Sequence, residues 1–439
     1  MRVNPVAAVA LIGFLLTVPE AEAQIVRHYG SLGIDFEQDS IFLPKTDQDY
    51  TQGTQLNWGG WGARRKPVLR WGFNLLVFFD KGLDKIEQIT SLSPFRRLCR
   101  DKVDPNSSAP PACFLIGENG TPIEQIYMVH QVSFGVSGFT PRKGDPSTDG
   151  PGCLFHGCVL ARRDPVLHDR PYASLTYLEF KRSLAAGRVA YTSDLTLGML
   201  GLQIGKVVQT WIHQRDDPRT VPGGWRHQIS NRGEPTAAYS GAVKWLALAI
   251  PRRSMVSGGD SQGPWDASNP RRRFLDGTLD VGASAGFYTR VVGGVTGRIG
   301  WIRSPFWSND RTPIAAVVLR EQTYQARERR SAPAELYLFA NIGGSYWIWN
   351  SLMQGQFKHS TVTLDFNPSP SDENADTPLK HWVGQWTKLG ISGQVPIPCW
   401  PDASISLRYQ RSHLTPTFGG PYSRTHGYWG GYLRIVFPL

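Results

Sequence analysis

The 439-residue chain is basic, with 47 Lys and Arg against 36 Asp and Glu and a net charge of +11. It is rich in Gly (46), Trp (15), Tyr (15) and Phe (20). No apolar run past the N-terminal region approaches the roughly eighteen residues a transmembrane helix needs, so helical spans are excluded.

The first segment sets the expected compartment. Arg2 is the only charge before an apolar run from Val6 to Val18, and Ala21-Glu22-Ala23 follows. This pattern reads as a secretory signal over residues 1–23, cleaved before Gln24. Loss of Arg2, Glu20 and Glu22 would raise the net charge by one. An exported basic protein meets anionic glycans or lipids. Nucleic acid is not an expected partner there. Aromatic, Gly-rich strands without membrane helices fit an outer-membrane β-barrel. On composition alone a secreted β-sandwich competes with it.

Extended segments then alternate with Gly, Pro and Asp loops. Strands are predicted at Tyr29–Phe36 and Tyr50–Trp61, followed by a long irregular insertion at about Arg64–Gln125. Ile126–Phe139 follows, then a Gly/Pro/Cys-rich loop, Pro141–Asp169. Tyr172–Arg182 and Arg188–Leu200 form a predicted hairpin through Ala185-Ala186-Gly187. Further strands are predicted at Ala237–Ile250, Phe274–Thr289, Val295–Ile302, Pro313–Glu321 and Ala334–Ile348. The last are Thr361–Asp365, Trp386–Val395, Ile405–Arg411 and Gly427–Phe437. The final segment alternates Leu433, Ile435 and Phe437 on one face, as expected for the closing strand of a barrel. The expected fold is all-β: one transmembrane antiparallel barrel of about twelve strands over residues 24–439, with a short helix in an external loop.

The five cysteines are Cys99, Cys113, Cys153, Cys158 and Cys399. Their spacings match no zinc pattern. Cys99/Cys113 and Cys153/Cys158 are each close enough in sequence to staple a loop.

The expected chemistry sits in the loop before Ala237. Gln209 and His213 are four residues apart, hence on one face of a helix. Ile204, Val208, Trp211 and Ile212 give that helix an apolar side to pack. His titrates near neutrality and is the usual proton-transfer group.

Several motifs, in order, resemble the outer-membrane lipid A 3-O-deacylase family. They are Phe36-Glu37-Gln38-Asp39-Ser40 with Thr46-Asp47-Gln48-Asp49-Tyr50-Thr51-Gln52-Gly53, then Asp169-Arg170-Pro171-Tyr172-Ala173. Gln209-x-x-x-His213, Gly224-Trp225-x-x-Gln228 and Asn231-x-x-Glu234-Pro235 complete the set. The resemblance covers about residues 30–240. It implies a twelve-stranded outer-membrane barrel that hydrolyses the 3'-linked acyl ester of lipid A and requires Ca²⁺. Carried over, His213 is the base that activates water and Gln209 is its neighbour. Asp39 is the essential acidic residue and a metal ligand, and Thr51 is the Thr of the first motif. Gln38 and Lys143 are substrate-binding candidates. Arg219 stands where the family has a Glu, so Glu234 is the expected replacement ligand in preference to Asp216 or Asp217. Gln38 stands where the family has Asn. Trp225 and Gln228 are expected to anchor the loop rather than to react. Two other classes remain open: a different outer-membrane esterase such as a phospholipase, and a non-enzymatic barrel acting as a pore or scaffold.

Overall fold

The computed structural model describes residues 29–38, 52–60, 66–90, 96–99, 113–116, 122–140, 172–186, 188–216, 225, 228–251, 273–302, 304, 306, 334–357, 382–415 and 426–438. The signal segment, Asp39, Thr51, Lys143, Asp217 and Arg219 lie outside these residues, as do the strands expected at Pro313–Glu321 and Thr361–Asp365.

Fourteen strands follow in chain order: β1 (Tyr29–Gln38), β2 (Gln52–Gly60), β3 (Arg96–Cys99), β4 (Cys113–Ile116), β5 (Pro122–Phe139), β6 (Ala173–Ala186), β7 (Val189–Leu200), β8 (Glu234–Pro251), β9 (Arg273–Gly286), β10 (Tyr288–Ile302), β11 (Glu335–Asn350), β12 (Trp382–Ile397), β13 (Trp400–Thr415) and β14 (His426–Pro438). Among the described residues three helices interrupt them: α1 (Pro67–Thr90), α2 (Ile204–Asp216) and the single turn α3 (Ser351–Gln354). Twelve strands close on themselves in antiparallel order. β1 pairs with β14, β2 pairs with both β1 and β5, and sequential pairing completes the circuit. β3 and β4 form a small hairpin that extends the start of β5 outside the barrel and sets Cys99 opposite Cys113.

Alternation along the strands decides the two faces of the wall. One hydrogen-bonded row runs Trp301, Leu336, Gly393, Leu407, Leu433, Ile34, Leu56 and Phe134. Its large side chains are all exposed. Directly opposed residues share a face, so this row marks the outer, apolar belt. The alternate residues point into the lumen and are polar. Asn57 accepts from Gln131 at 3.2 Å, and Lys244 pairs with Asp280 at 3.4 Å. Arg298 grips Asp276 through two hydrogen bonds of 2.8 and 2.6 Å. Apolar outside and polar inside is the pattern of an outer-membrane barrel.

Tyr29, at the start of β1, and Pro438, at the end of β14, lie at one end of the barrel. Gln38, Gln52, Phe139, Ala173, Leu200 and Glu234 lie at the other, called here the loop end. An apolar roof of Ala173, Leu175, Leu200, Ile229, Ala238, Phe287 and Leu352 packs inside the wall there.

Two expectations are corrected. The Phe274–Thr289 strand is two strands, broken at Gly286, whose φ is 128° and whose Cβ would lie 2.2 Å from the Ala237 carbonyl oxygen. Phe287 turns into the roof at that break, so the chain reverses where the alternation still reads as continuous. The Arg64–Gln125 insertion is not irregular throughout: it holds α1 and the β3/β4 hairpin.

α1 lies across the outside of the wall. Phe73 and Leu76 pack on Val132, Phe180 and Leu195, and Trp58 and Tyr239 flank them. Trp58, Val132, Phe180, Leu195 and Tyr239 form one register row on the outer face. Gly72 permits the approach, since a Cβ there would lie 2.1 Å from the Phe180 ring. Beneath α1 the outer wall is polar, with His130, Arg182, Ser193, Tyr191 and Tyr239. Asp80 of α1 joins them: it pairs with Arg182 and accepts from Ser193 Oγ at 3.1 Å and Tyr239 Oη at 2.8 Å. Tyr239 and Tyr191 share a hydroxyl contact at 3.0 Å. A charge facing lipid carries a cost that grows with its depth in the membrane. The helix removes that cost by supplying a counter-ion and a cover.

Candidate functional site

α2 is seated at the loop end on the same outer face. Gly201, at φ 71°, turns the chain out of β7, and its N–H donates to the Ser174 carbonyl at 2.9 Å. Ser174 lies on the outer pleat face of β6, opposite Gly138. Its hydroxyl donates to the Leu202 carbonyl at 2.6 Å and lies 3.0 Å from Gln228 Oε1. Gln228 Nε2 donates to the Gly201 carbonyl at 2.9 Å. The start of the helix is thereby tied to the wall through two buried polar side chains, as buried polar groups require.

One turn further, Gly205 faces the wall. A Cβ there would lie 2.7 Å from the Trp225 ring and 3.2 Å from Ser174 Cβ. Trp225 is fully buried between α2, Gly138 and Tyr172, its ring 5.1 Å from that of Tyr172. Its indole Nε1–H donates to Gln209 Oε1 at 2.6 Å. Gln209 therefore faces the wall and holds Trp225. His213 comes four residues later in α2, and its side chain lies outside the described ones.

The return segment is tightly folded. Ile229 N–H donates to the Tyr172 carbonyl at 2.9 Å, and Gln203 donates to Asn231 Oδ1 at 2.7 Å. Ser230 (φ 52°), Arg232 (φ 89°) and Gly233 (φ 98°) all occupy the left-handed region. Non-glycine residues there store strain of order 1–3 kcal/mol each and concentrate at functional sites. Ser230 Oγ donates to Glu234, which is buried at the start of β8.

Tyr172, Gln209, Trp225, Gln228 and Asn231, drawn from separate sequence motifs, thus form one connected unit. Glu234 is apart from it. By register it shares the inward face with Leu200 and Ala238, whereas Gln209 packs against the outer face. Gln38 ends β1 at the same end of the barrel as the start of α2, and Asp39 lies outside the described residues. Among the described residues no three His, Cys, Asp or Glu side chains converge as a metal site.

One expectation about α2 is reversed for two of its four residues, the side chains of Val208 and Ile212 lying outside the described ones. Its spacing puts Ile204 and Trp211 on the packed side, yet both are exposed, together with Val207. The helix buries Gly205 and Gln209 instead, because the wall offers Ser174 and the Trp225 ring as partners. Ser174 was missed by sequence reasoning, although it directly follows Tyr172-Ala173.

The fold and this site define a class: a twelve-stranded outer-membrane barrel with a polar helix-and-wall site on its lipid-facing side. A family model described as "Outer membrane protein LpxR" matches residues 159–394, more than half the chain. The chain belongs to that family, and it is an outer-membrane protein. The match contains β6, α2 and Glu234 but not the Asp39 motif or α1. Among solved structures, LpxR from Salmonella typhimurium aligns over 92% of this chain and 99% of its own, at 14% identity and a TM-score of 0.51, a likeness of fold. The β domain of the Bordetella autotransporter BrkA aligns over 94% of this chain and 99% of its own, at 8% identity and a TM-score of 0.33. The translocator domain of NalP from Neisseria meningitidis aligns over 99% and 95%, at 6% identity and a TM-score of 0.28. Comparison with curated proteins gave no match.

Proposed function

We propose that the protein is a lipid A deacylase that hydrolyses the 3'-linked acyl ester, with His213 as general base. One observation carries the reading: the Gln209/His213 helix is seated on the outer face of the wall at the loop end, with Ile204, Val207 and Trp211 exposed beside it. A site placed there is reached sideways from the outer leaflet, where lipid A resides, rather than through the lumen.

In this mechanism neutral His213 takes a proton from water, and the hydroxide attacks the ester carbonyl. Collapse of the tetrahedral intermediate expels the sugar alkoxide, which takes the proton back from His213. The products are a fatty acid and a free hydroxyl. Gln209 is a positioning residue: through Trp225 it fixes the rotation of α2 and hence the direction of the His213 position. Thr51 is assigned to the catalytic set, and Gln38 and Lys143 to substrate contact, Lys143 through a lipid phosphate.

We retain the calcium expectation on Asp39. The described residues form no cage for it, and the inward-facing Glu234 is a poor partner for an ion beside His213. When bound, a hard cation of this kind polarises an ester carbonyl. Activity that survives excess EDTA would remove calcium from the account.

The decisive experiment is mass spectrometry of lipid A from cells expressing the wild-type chain or His213→Ala. The expected result is loss of one 3'-linked acyl chain in the first and not in the second. Release of fatty acid from purified phospholipid, with lipid A untouched, would favour a phospholipase that uses the same geometry. Ion conductance without any ester cleavage would favour a pore.

A further inference from the structure

We propose that α1 is an interfacial membrane helix, with its exposed face immersed in the acyl chains of the phospholipid leaflet at the terminal end of the barrel. Three observations carry this.

First, the uncovered face is apolar. Val68, Trp71, Leu75, Phe78 and Phe79 are all exposed, with Val68 at 77% and Phe78 at 70%. Their spacing of three, four, three and one makes a single stripe, opposite the Phe73, Leu76 and Asp80 face that binds the wall. A patch of this kind, three aromatic rings with two aliphatic neighbours, does not remain in water without a partner.

Second, the stripe is continuous with an established lipid contact. The helix rests on the register row Trp58–Val132–Phe180–Leu195–Tyr239, which is two residues along the strands from the exposed belt row through Leu56 and Phe134. Where α1 lies, its outer stripe replaces the belt that it covers. The wall beneath is the polar patch of Arg182, Ser193 and Tyr239, which only a covered position tolerates at membrane depth.

Third, the charges suit a membrane surface. Arg70 and Asn74 are exposed along one edge of the stripe. Arg64, Arg65 and Lys66 immediately precede the helix in sequence. An apolar face bordered by basic residues, on a helix that is not itself long and apolar enough to span, is the composition of a helix lying in the plane of an anionic headgroup layer. Here the helix is also clamped from behind by an ion pair, so it does not depend on lipid alone for its seat.

The partner is thus phospholipid: acyl chains against Phe78 and Trp71, and phosphates against the Arg70 edge. The inference stands on the barrel and not on the proposed hydrolase activity. It is tested with purified full-length protein in vesicles of phosphatidylethanolamine and phosphatidylglycerol, carrying p-benzoylphenylalanine in place of Phe78 or, as reference, of the belt residue Ile342. After irradiation, mass spectrometry identifies the adduct. Phospholipid adducts at both positions, in comparable yield, are expected. An adduct to a second copy of the protein at position 78 would overturn the proposal. So would no lipid adduct there while position 342 reacts. In a second measurement, Arg70→Glu should weaken the dependence of refolding rate on the phosphatidylglycerol fraction, and an unchanged dependence would reject the headgroup contact.

Discussion

α1 and α2 lie on the same outer wall, and each comes against it through one glycine, Gly72 on the Phe180 ring and Gly205 on the Trp225 ring. They differ in the groups they bury beyond that glycine. α1 buries an aromatic and aliphatic core and one carboxylate, Asp80, which is bonded by Arg182, Ser193 and Tyr239. α2 buries neutral amides, an indole and a hydroxyl, and no described ion pair fixes its underside. A buried ion pair with satisfied partners holds one geometry, because any displacement leaves a charge in a medium of low dielectric. A neutral hydrogen-bond network holds position at smaller cost per bond. The first arrangement suits a fixed cover. The second seats α2 through described side chains that are all neutral.

The largest effect is expected where that contrast is sharpest. Asp80→Ala leaves the Arg182 guanidinium buried without its carboxylate, and breaking such a pair costs about 3–5 kcal/mol. The urea midpoint for unfolding from vesicles should fall accordingly. Protein that does fold should keep its deacylase activity, since Asp80 lies at α1 and not at α2. A double substitution, Asp80→Asn with Arg182→Gln, should recover much of the stability. An Asp80→Ala protein as stable as wild type would mean that α1 does not depend on the ion pair.

His213→Ala comes next. Loss of a general base costs at least about a hundredfold in rate. Stability should be nearly unchanged, the inverse of the Asp80 result. Near-normal release of fatty acid from lipid A by this variant would end the base assignment.

Trp225→Phe is smaller again. It removes the indole donor to Gln209 but keeps most of the ring volume beside Gly205 and Tyr172. A net hydrogen bond of this kind contributes about 0.5–1.5 kcal/mol. Because Gln209 acts through helix orientation, kcat should fall while KM changes little, and the pH profile of kcat should shift. A change confined to thermal stability would make the pair purely structural.

These contrasts also mark how much was legible in the sequence. Strand alternation pointed to the barrel, its twelve strands and the closing role of Leu433 and Ile435, because lipid outside and polar groups inside impose a period of two on every strand. The Tyr172, Gln209, Trp225, Gln228 and Asn231 motif residues were legible as a set, and they do contact one another. Which side of the wall they occupy was not legible. Ile204 and Trp211 follow the same helical spacing whether they face a protein core or a bilayer, since both solvents are apolar. The seat of α1 was hidden for another reason: its buried Asp80 gains its meaning only from Arg182, which is remote in sequence.

The smallest expected effects concern the two departures from the family pattern. Glu234 is the sequence-based choice to replace the Glu that Arg219 displaces. Its carboxylate is engaged by Ser230 within the strained turn and faces inward, across the wall from Gln209. Glu234→Gln keeps the shape and an oxygen that accepts from Ser230, so it should change lipid A deacylation by less than about threefold. Its cost should appear as a modest loss of stability, about 1 kcal/mol for one weakened charge-assisted bond. Gln38→Asn shortens a side chain at the end of β1 and restores the family residue, so activity should be retained. Calcium titration of both variants then sharpens the metal assignment. If Asp39 is the ligand and Glu234 is not, Asp39→Asn raises the calcium concentration needed for half-maximal rate, whereas Glu234→Gln leaves it unchanged. A Glu234→Gln protein that needs much more calcium would instead bring that carboxylate to the metal, and the turn at Ser230–Gly233 would then have to open toward α2 when the ion binds.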